Sequence, residues 1–223
     1  MIRIFDDSCV HILQINDGFI ASFKSEDKTN LQNLQFKRIS VLNDTAREID
    51  PDQFKLLKFG FDFDWINSQI DDYLFTLCRR SESGMLFTVS GEGAVKVFDK
   101  KGNLINQGDF CHQDCRPVDI AIGDGVIWAS YPELNTIVRY NISSLRQELR
   151  IGGMQSKVLN SPCGLLLQGQ QLYICNAASN KILLMDTANF TVQEHLSFDE
   201  PVYEFIKIEG FNIVRLKSGV YRV

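Results

Sequence analysis

The 223-residue sequence has no excess of basic side chains: 23 Lys and Arg stand against 28 Asp and Glu, a net charge of −5. Nucleic-acid recognition needs a basic face and docking on anionic lipid needs a basic patch, so neither is expected. No apolar run approaches the roughly 18 residues of a membrane-spanning helix. The opening Met1-Ile2-Arg3-Ile4-Phe5-Asp6-Asp7 is too short and too soon charged for a signal peptide. Histidine is scarce, with only His11, His112 and His195, so general-base chemistry has few candidates. Gly-x-Ser-x-Gly, a Walker loop and Gly-x-Gly-x-x-Gly are all missing. The six cysteines are scattered through a long chain rather than packed into a short framework, which predicts free thiols and a cytoplasmic protein. The Asn-x-Ser/Thr triplets at Asn43, Asn141 and Asn189 are then read as chance.

What is present is a repeat. Short apolar strands begin at Leu86, Val126, Leu172 and Phe211, spaced 40, 46 and 39 residues apart. Each is followed by a loop and a second strand, as in Ala94 to Asp99, Thr136 to Asn141 and Lys181 to Asp186. Before three of them runs another strand that opens on Pro117, Pro162 or Pro201, a position where the missing N–H costs the ladder nothing. Asp124-Gly125 and Glu209-Gly210 supply tight hairpin turns. Further strands at Leu104 to Phe110, Glu148 to Gly152 and Val192 to Phe198 complete units of four. A period near 40 built from short strands is the mark of propeller blades.

The first third is less regular. Val10 to Asn16, the turn Asp17-Gly18 and Phe19 to Lys24 form a hairpin, followed by a polar loop, Ser25 to Asn33, and a strand from Phe36 to Asn43. Phe59, Phe61, Phe63 and Trp65 alternate with Gly60, Asp62 and Asp64, which predicts a strand with one aromatic face as the outer strand of the first blade, plus an insertion. Five blades result, at 9–66, 72–110, 116–153, 161–198 and a composite of 201–223 with 1–5. In the composite, Met1 to Phe5 supplies the missing outer strand, with Ile2 and Ile4 expected to be buried, and so removes an exposed edge. The expected fold is therefore a single all-β domain, a five-bladed β-propeller closed by its N-terminal strand; a degenerate sixth blade within 51–70 is the alternative.

Ser161-Pro162-Cys163-Gly164-Leu165, Leu172-Tyr173-Ile174-Cys175-Asn176 and Asn180-Lys181-Ile182-Leu183-Leu184-Met185-Asp186 resemble the pattern of NHL-repeat and YVTN-like propellers. Ala94 to Asp99 is similar to WD-repeat strands, without the Gly-His and Trp-Asp pairs. The resemblance covers about 85–223. It implies a fold that serves binding scaffolds, lactonases and lyases alike, and a fold does not fix a function. Gluconolactonase-type relatives place an Asn metal ligand after the strand-opening proline; here that position holds Val118, Cys163 or Val202, which removes the ligand each time.

Candidate sites follow from loop placement. The long loops and blade links share one face and gather Asp71, Asp72, Asp114 and other acids that could take Ca²⁺, although no cofactor is required. Cys111-His112-x-x-Cys115 has zinc-type ligands but lacks a second pair. The expected contact surface is Glu92, Arg116, Asp119, Glu133, Asn135 and Asn176, chosen because short turns such as Asp124-Gly125 offer little surface to a partner. No catalytic residue is assigned. The favoured function is a non-catalytic, monomeric binding or scaffolding module for a protein, peptide or small ligand. A hydrolase or lyase at the channel mouth using a divalent cation, and a carbohydrate-binding module, are the alternatives.

Overall fold

β-Branched and aromatic residues in runs of four to seven, broken by Gly, Asp and Asn turns, dictate strands throughout the chain. A computed structural model describes residues 1–15, 18–24, 34–40, 45–208 and 210–223. Asp17 of the first turn, the loop Ser25 to Asn33, Asn43 and Glu209 lie outside the described residues. Within them, five four-stranded antiparallel sheets form, the sheet count and strand order of a five-bladed β-propeller. No described helix is long and apolar enough to cross a membrane, which leaves spanning by strands unaddressed. Two compact units divide the chain, residues 1–66 with 202–223, and residues 67–201.

In the first unit, β1 (Ile2–Phe5) is followed by the sheet of β2 (Cys9–Ile15), β3 (Gly18–Lys24), β4 (Leu34–Ser40) and β5 (Thr45–Ile49). In the second unit, β6 (Leu77–Arg80), β7 (Leu86–Val89), β8 (Ala94–Phe98) and β9 (Leu104–Asp109) make one sheet. β10 (Asp119–Gly123), β11 (Val126–Tyr131), β12 (Thr136–Asn141) and β13 (Gln147–Gly152) make the next. β14 (Pro162–Gln168), β15 (Gln171–Asn176), β16 (Lys181–Asp186) and β17 (Val192–Ser197) make the third. The first unit is completed by β18 (Val202–Ile208), β19 (Phe211–Leu216) and β20 (Gly219–Arg222), in the order β1-β20-β19-β18.

The N-terminal strand thus completes the last sheet, with Ile2 opposite Arg222 and Phe5 opposite Val220. The expected burial of both isoleucines does not hold: Ile2 is 65% exposed, and Ile4 and Phe5 are the residues that reach the core. Phe5 meets Phe23 edge to face at 4.9 Å, and Arg3 donates from Nη2 to the Ser218 carbonyl at 2.9 Å.

The aromatic row at 59–65 is not a strand. Phe59 ends one helix, α1 (Pro51–Phe59), Phe63 and Trp65 lie in a second, α2 (Phe63–Gln69), Phe61 falls between them, and the outer strand of the first sheet is β5. Capping chemistry outweighs the alternation. Asp50 accepts from the Gln53 N–H at 2.7 Å, Pro51 fits the first helical turn, and Gly60 at φ 67° ends α1 with its N–H on the Leu56 carbonyl. Asp62 then caps α2 by accepting from the Trp65 N–H at 2.9 Å. Phe59 is buried, and Phe61, just before α2, packs against Trp65 with ring centroids 4.1 Å apart and planes tilted by 31°.

Period-2 alternation serves two neighbours at once in the second unit. Ile127, Ala129 and Tyr131 of β11 face the β6–β9 sheet and meet Phe87, Val89 and Val97. Trp128, between them in sequence, faces the other way and packs with Leu165, Leu172, Ile174 and Met185. In the first unit, Ile206, Ile208, Ile213 and Val220 pack on Ile12, Phe19, Ala21 and Phe23. Each such fully buried side chain contributes about 1.5–3 kcal/mol.

Candidate functional site

The loop cluster expected from the sequence lies in the second unit. Cys111 to Arg116 form a two-residue hairpin: Gln113 and Asp114 sit at φ 51° and 61°, and His112 and Cys115 exchange both backbone hydrogen bonds, at 2.9 and 3.0 Å. This turn brings Arg116 beside the β7–β8 turn that carries Glu92. Gly91 there is flanked by Phe75 and Arg116: a methyl at its Cβ position would meet the Phe75 Cβ at 3.8 Å and Arg116 Nη1 at 3.9 Å. Glu92 and Arg116 are exposed, Phe75 is 59% exposed, and Arg116 has no hydrogen-bond or ion-pair partner among the described residues. Phe75 was not singled out in the sequence.

On the other side of the hairpin, the Cys115 thiol donates to Glu133 Oε2 at 3.3 Å. Burial, that hydrogen bond and the Glu133 charge all raise the Cys115 thiol above its ordinary value. His112 is lowered by burial and then by the Arg150 charge, and its Nε2 is buried with no partner among the described residues. The six cysteines form no disulfide, and no three His, Cys, Asp or Glu side chains among the described residues are arranged to hold a metal.

The two asparagines have a different job. Asn135 ends a short 3-10 turn, Pro132–Leu134, at φ 49°, and its Oδ1 accepts from the Ser161 N–H at 2.7 Å. Asn176 is 1% exposed; its Oδ1 accepts from the Asn160 N–H at 2.7 Å and its Nδ2 donates to the Val158 carbonyl at 3.0 Å and to Ser179 Oγ at 2.7 Å. Together they fix the link from β13 to β14. The structure therefore gathers Glu92, Arg116 and Glu133 round one link and Asn135 with Asn176 round the next.

Asp119, in β10, joins three sheets. Its Oδ1 accepts from Arg79 Nη2 of β6 at 2.6 Å and from the Ile120 N–H at 2.8 Å, and its Oδ2 accepts from the Leu165 N–H of β14 at 2.8 Å.

A second polar array, in the first unit, was missed in the sequence. Glu204 of β18 accepts from His11 Nδ1, from the Ile12 N–H at 2.9 Å and from Arg215 Nε at 2.6 Å. The Arg215 guanidinium also lies over the Tyr203 ring, 4.8 Å from its centre. Burial pushes the Glu204 carboxyl up, but the His11 and Arg215 charges and hydrogen bonds outweigh it, and the group falls to about 2. Cys9, whose thiol donates to the His11 carbonyl at 3.5 Å, is pushed up to about 12 by burial and by Glu204. The signal for this array was available: Pro201-Val202-x-Glu204 and Pro117-Val118-Asp119 both set an acid just after a strand-opening Pro-Val.

No family model matches the chain, and no curated protein matches it in sequence. Solved structures are similar in fold. A Bacteroides thetaiotaomicron VPI-5482 protein of unknown function superposes with a TM-score of 0.66 at 12% identity, over 98% of this chain and 69% of that one. Saccharomyces cerevisiae Sqt1 gives 0.57 at 10% identity, over 96% and 71%. The RRP9 WD40 repeats give 0.50 at 11% identity, over 63% of this chain and 44% of that one, so the chain spans less than half of that structure's length. At these identities the likeness is one of fold alone, and the fold it supports is the β-propeller.

Proposed function

We propose that this chain is a binding or scaffolding propeller of the NHL or YVTN kind, which takes a protein, peptide or small ligand on the loop surface of Glu92, Arg116 and Glu133, with Asp119, Asn135 and Asn176 supporting it from behind. The observation that carries the reading is Arg116. In a chain of net charge −5, it is an exposed cation with no partner among the described residues, and it flanks Gly91 together with the exposed Phe75. An exposed guanidinium and an exposed aromatic side chain on either side of one turn offer a charge-assisted donor and apolar contact area, the residue types that most often anchor an interface. Glu92 and Glu133 flank it and would set orientation. Asn135, Asn176 and Asp119 hold the links in place so that this edge is presented on a fixed frame.

The test is a peptide selected from a random library against the whole chain. Arg116→Ala should weaken its binding by roughly tenfold or more, as loss of a hot-spot arginine does, while the melting temperature stays within a few degrees. Peptides that ignore Arg116→Ala and are lost on Asp124→Ala instead would place the binding surface on the short-turn side.

A further inference from the structure

The geometry of the His11–Glu204 pair points to a second activity beyond binding: we propose that His11 is a solvent-facing general base, oriented by Glu204, able to activate water against a small ester. The argument begins with the acceptor. An ionised carboxylate has no proton to give, so every contact Glu204 makes must be donated to it. It already accepts from the Ile12 N–H and Arg215 Nε, and therefore His11 Nδ1 carries the proton in their bond. In the neutral ring the lone pair is then on Nε2. Nε2 has no partner among the described residues, and the His11 side chain is 37% exposed, which leaves this lone pair open to solvent. A part-buried carboxylate that fixes the tautomer and turns the other nitrogen outward gives the orientation a general base requires.

The strands are shaped for this. Val10 is an extra residue between the pairs Cys9–Phe23 and His11–Ser22, and Tyr203 is an extra residue between Val202–Leu216 and Glu204–Arg215. Each bulge directly precedes a member of the pair, and a bulge re-aims the side chain that follows it. Arg215, directly across from Glu204, keeps the carboxylate charged, and Tyr203 backs Arg215. Cys9 is excluded as a nucleophile because its thiol is buried and bonded to the His11 carbonyl.

In the reaction, Nε2 takes a proton from water as the water oxygen bonds to the acyl carbon. The bond from that carbon to the alcohol oxygen then breaks, and the imidazolium returns the proton to the departing oxygen. Ester and water become acid and alcohol, with no other reactant consumed. His11 is the catalytic residue and Glu204 a positioning residue.

Hydrolysis of p-nitrophenyl acetate by the full chain, together with imidazole ¹⁵N spectra, tests this. The spectra of the unmodified protein should show His11 with the proton on Nδ1. His11→Gln should lower the rate about 100-fold, in the range general-base catalysis contributes, while His195→Gln, in the other unit, leaves it within about twofold. Glu204→Gln should lower the rate and disturb the His11 tautomer in a protein whose circular dichroism is unchanged. A rate that survives His11→Gln, or a His11 ring with its proton on Nε2, would overturn the proposal; the spectrum decides even where a variant does not fold. The hydrolysis is read on His11 and Glu204 and the peptide binding on Arg116, so this reading and the loop-surface reading stand or fall separately.

Discussion

Asp119 in the second unit and Glu204 in the first do the same structural work with different consequences. Each sits near the start of a sheet's first strand and accepts the backbone N–H of the next sheet's first strand, Leu165 for Asp119 and Ile12 for Glu204. Each also holds an arginine, Arg79 or Arg215. Asp119 spends its remaining capacity on its own main chain at Ile120, whereas Glu204 spends it on a histidine. One clasp is closed on itself; the other ends in an imidazole with a free nitrogen. A device that satisfies an edge N–H becomes a chemical site when one neighbour can move a proton.

The largest effect that could break this comparison is loss of Glu204. Glu204→Ala leaves the Arg215 charge and the Ile12 N–H without their acceptor, and breaking such a largely buried pair costs up to about 3–5 kcal/mol. Urea unfolding should show it directly. The same group makes the first unit acid-sensitive. Its folded-state carboxyl is depressed from 4.5 to about 2, so its stabilising contribution is complete above pH 4.5 and fades as pH falls toward 2. The stability gap between the parent protein and Glu204→Gln should therefore close over that window, measured by unfolding at a series of pH values. Asp119→Ala is expected to cost less, about 1–3 kcal/mol, because Arg79 is more exposed than Arg215 and water can take over its charge. Equal losses at the two positions would mean that the histidine adds nothing to the Glu204 clasp.

Much of this architecture is legible in the residues. The 40-residue period, the strand-opening prolines and the Asp124-Gly125 turn lead to the observed sheets, and the pairing of Met1 to Phe5 with the last sheet follows from a strand that otherwise has no partner. Reading failed where two local rules competed. Phe59 to Trp65 alternate as a strand should, but Asp50-Pro51, Gly60 and Asp62 are helix caps, and capping satisfies backbone groups that an isolated strand would leave unpaired. Reading also failed where distance matters. His11 and Glu204 lie 193 residues apart; the Pro-Val-acid pattern marks Glu204 as a clasp, but nothing near it names His11 as its partner. Asn176 and Asn135 were visible as polar loop residues, but their engagement with the 158–161 backbone depends on a link whose path no local pattern states.

The strand pair β1–β20 sets a schedule for synthesis. Arg3 and its acceptor Ser218 are separated by 215 residues, so the first strand leaves the ribosome long before the last sheet exists. At about 5–20 residues per second, Met1 to Phe5 must wait tens of seconds while the three sheets of residues 77–197 form from local hairpins. This long-range contact is therefore among the last to become available, and until then β1 has no β20 to pair with.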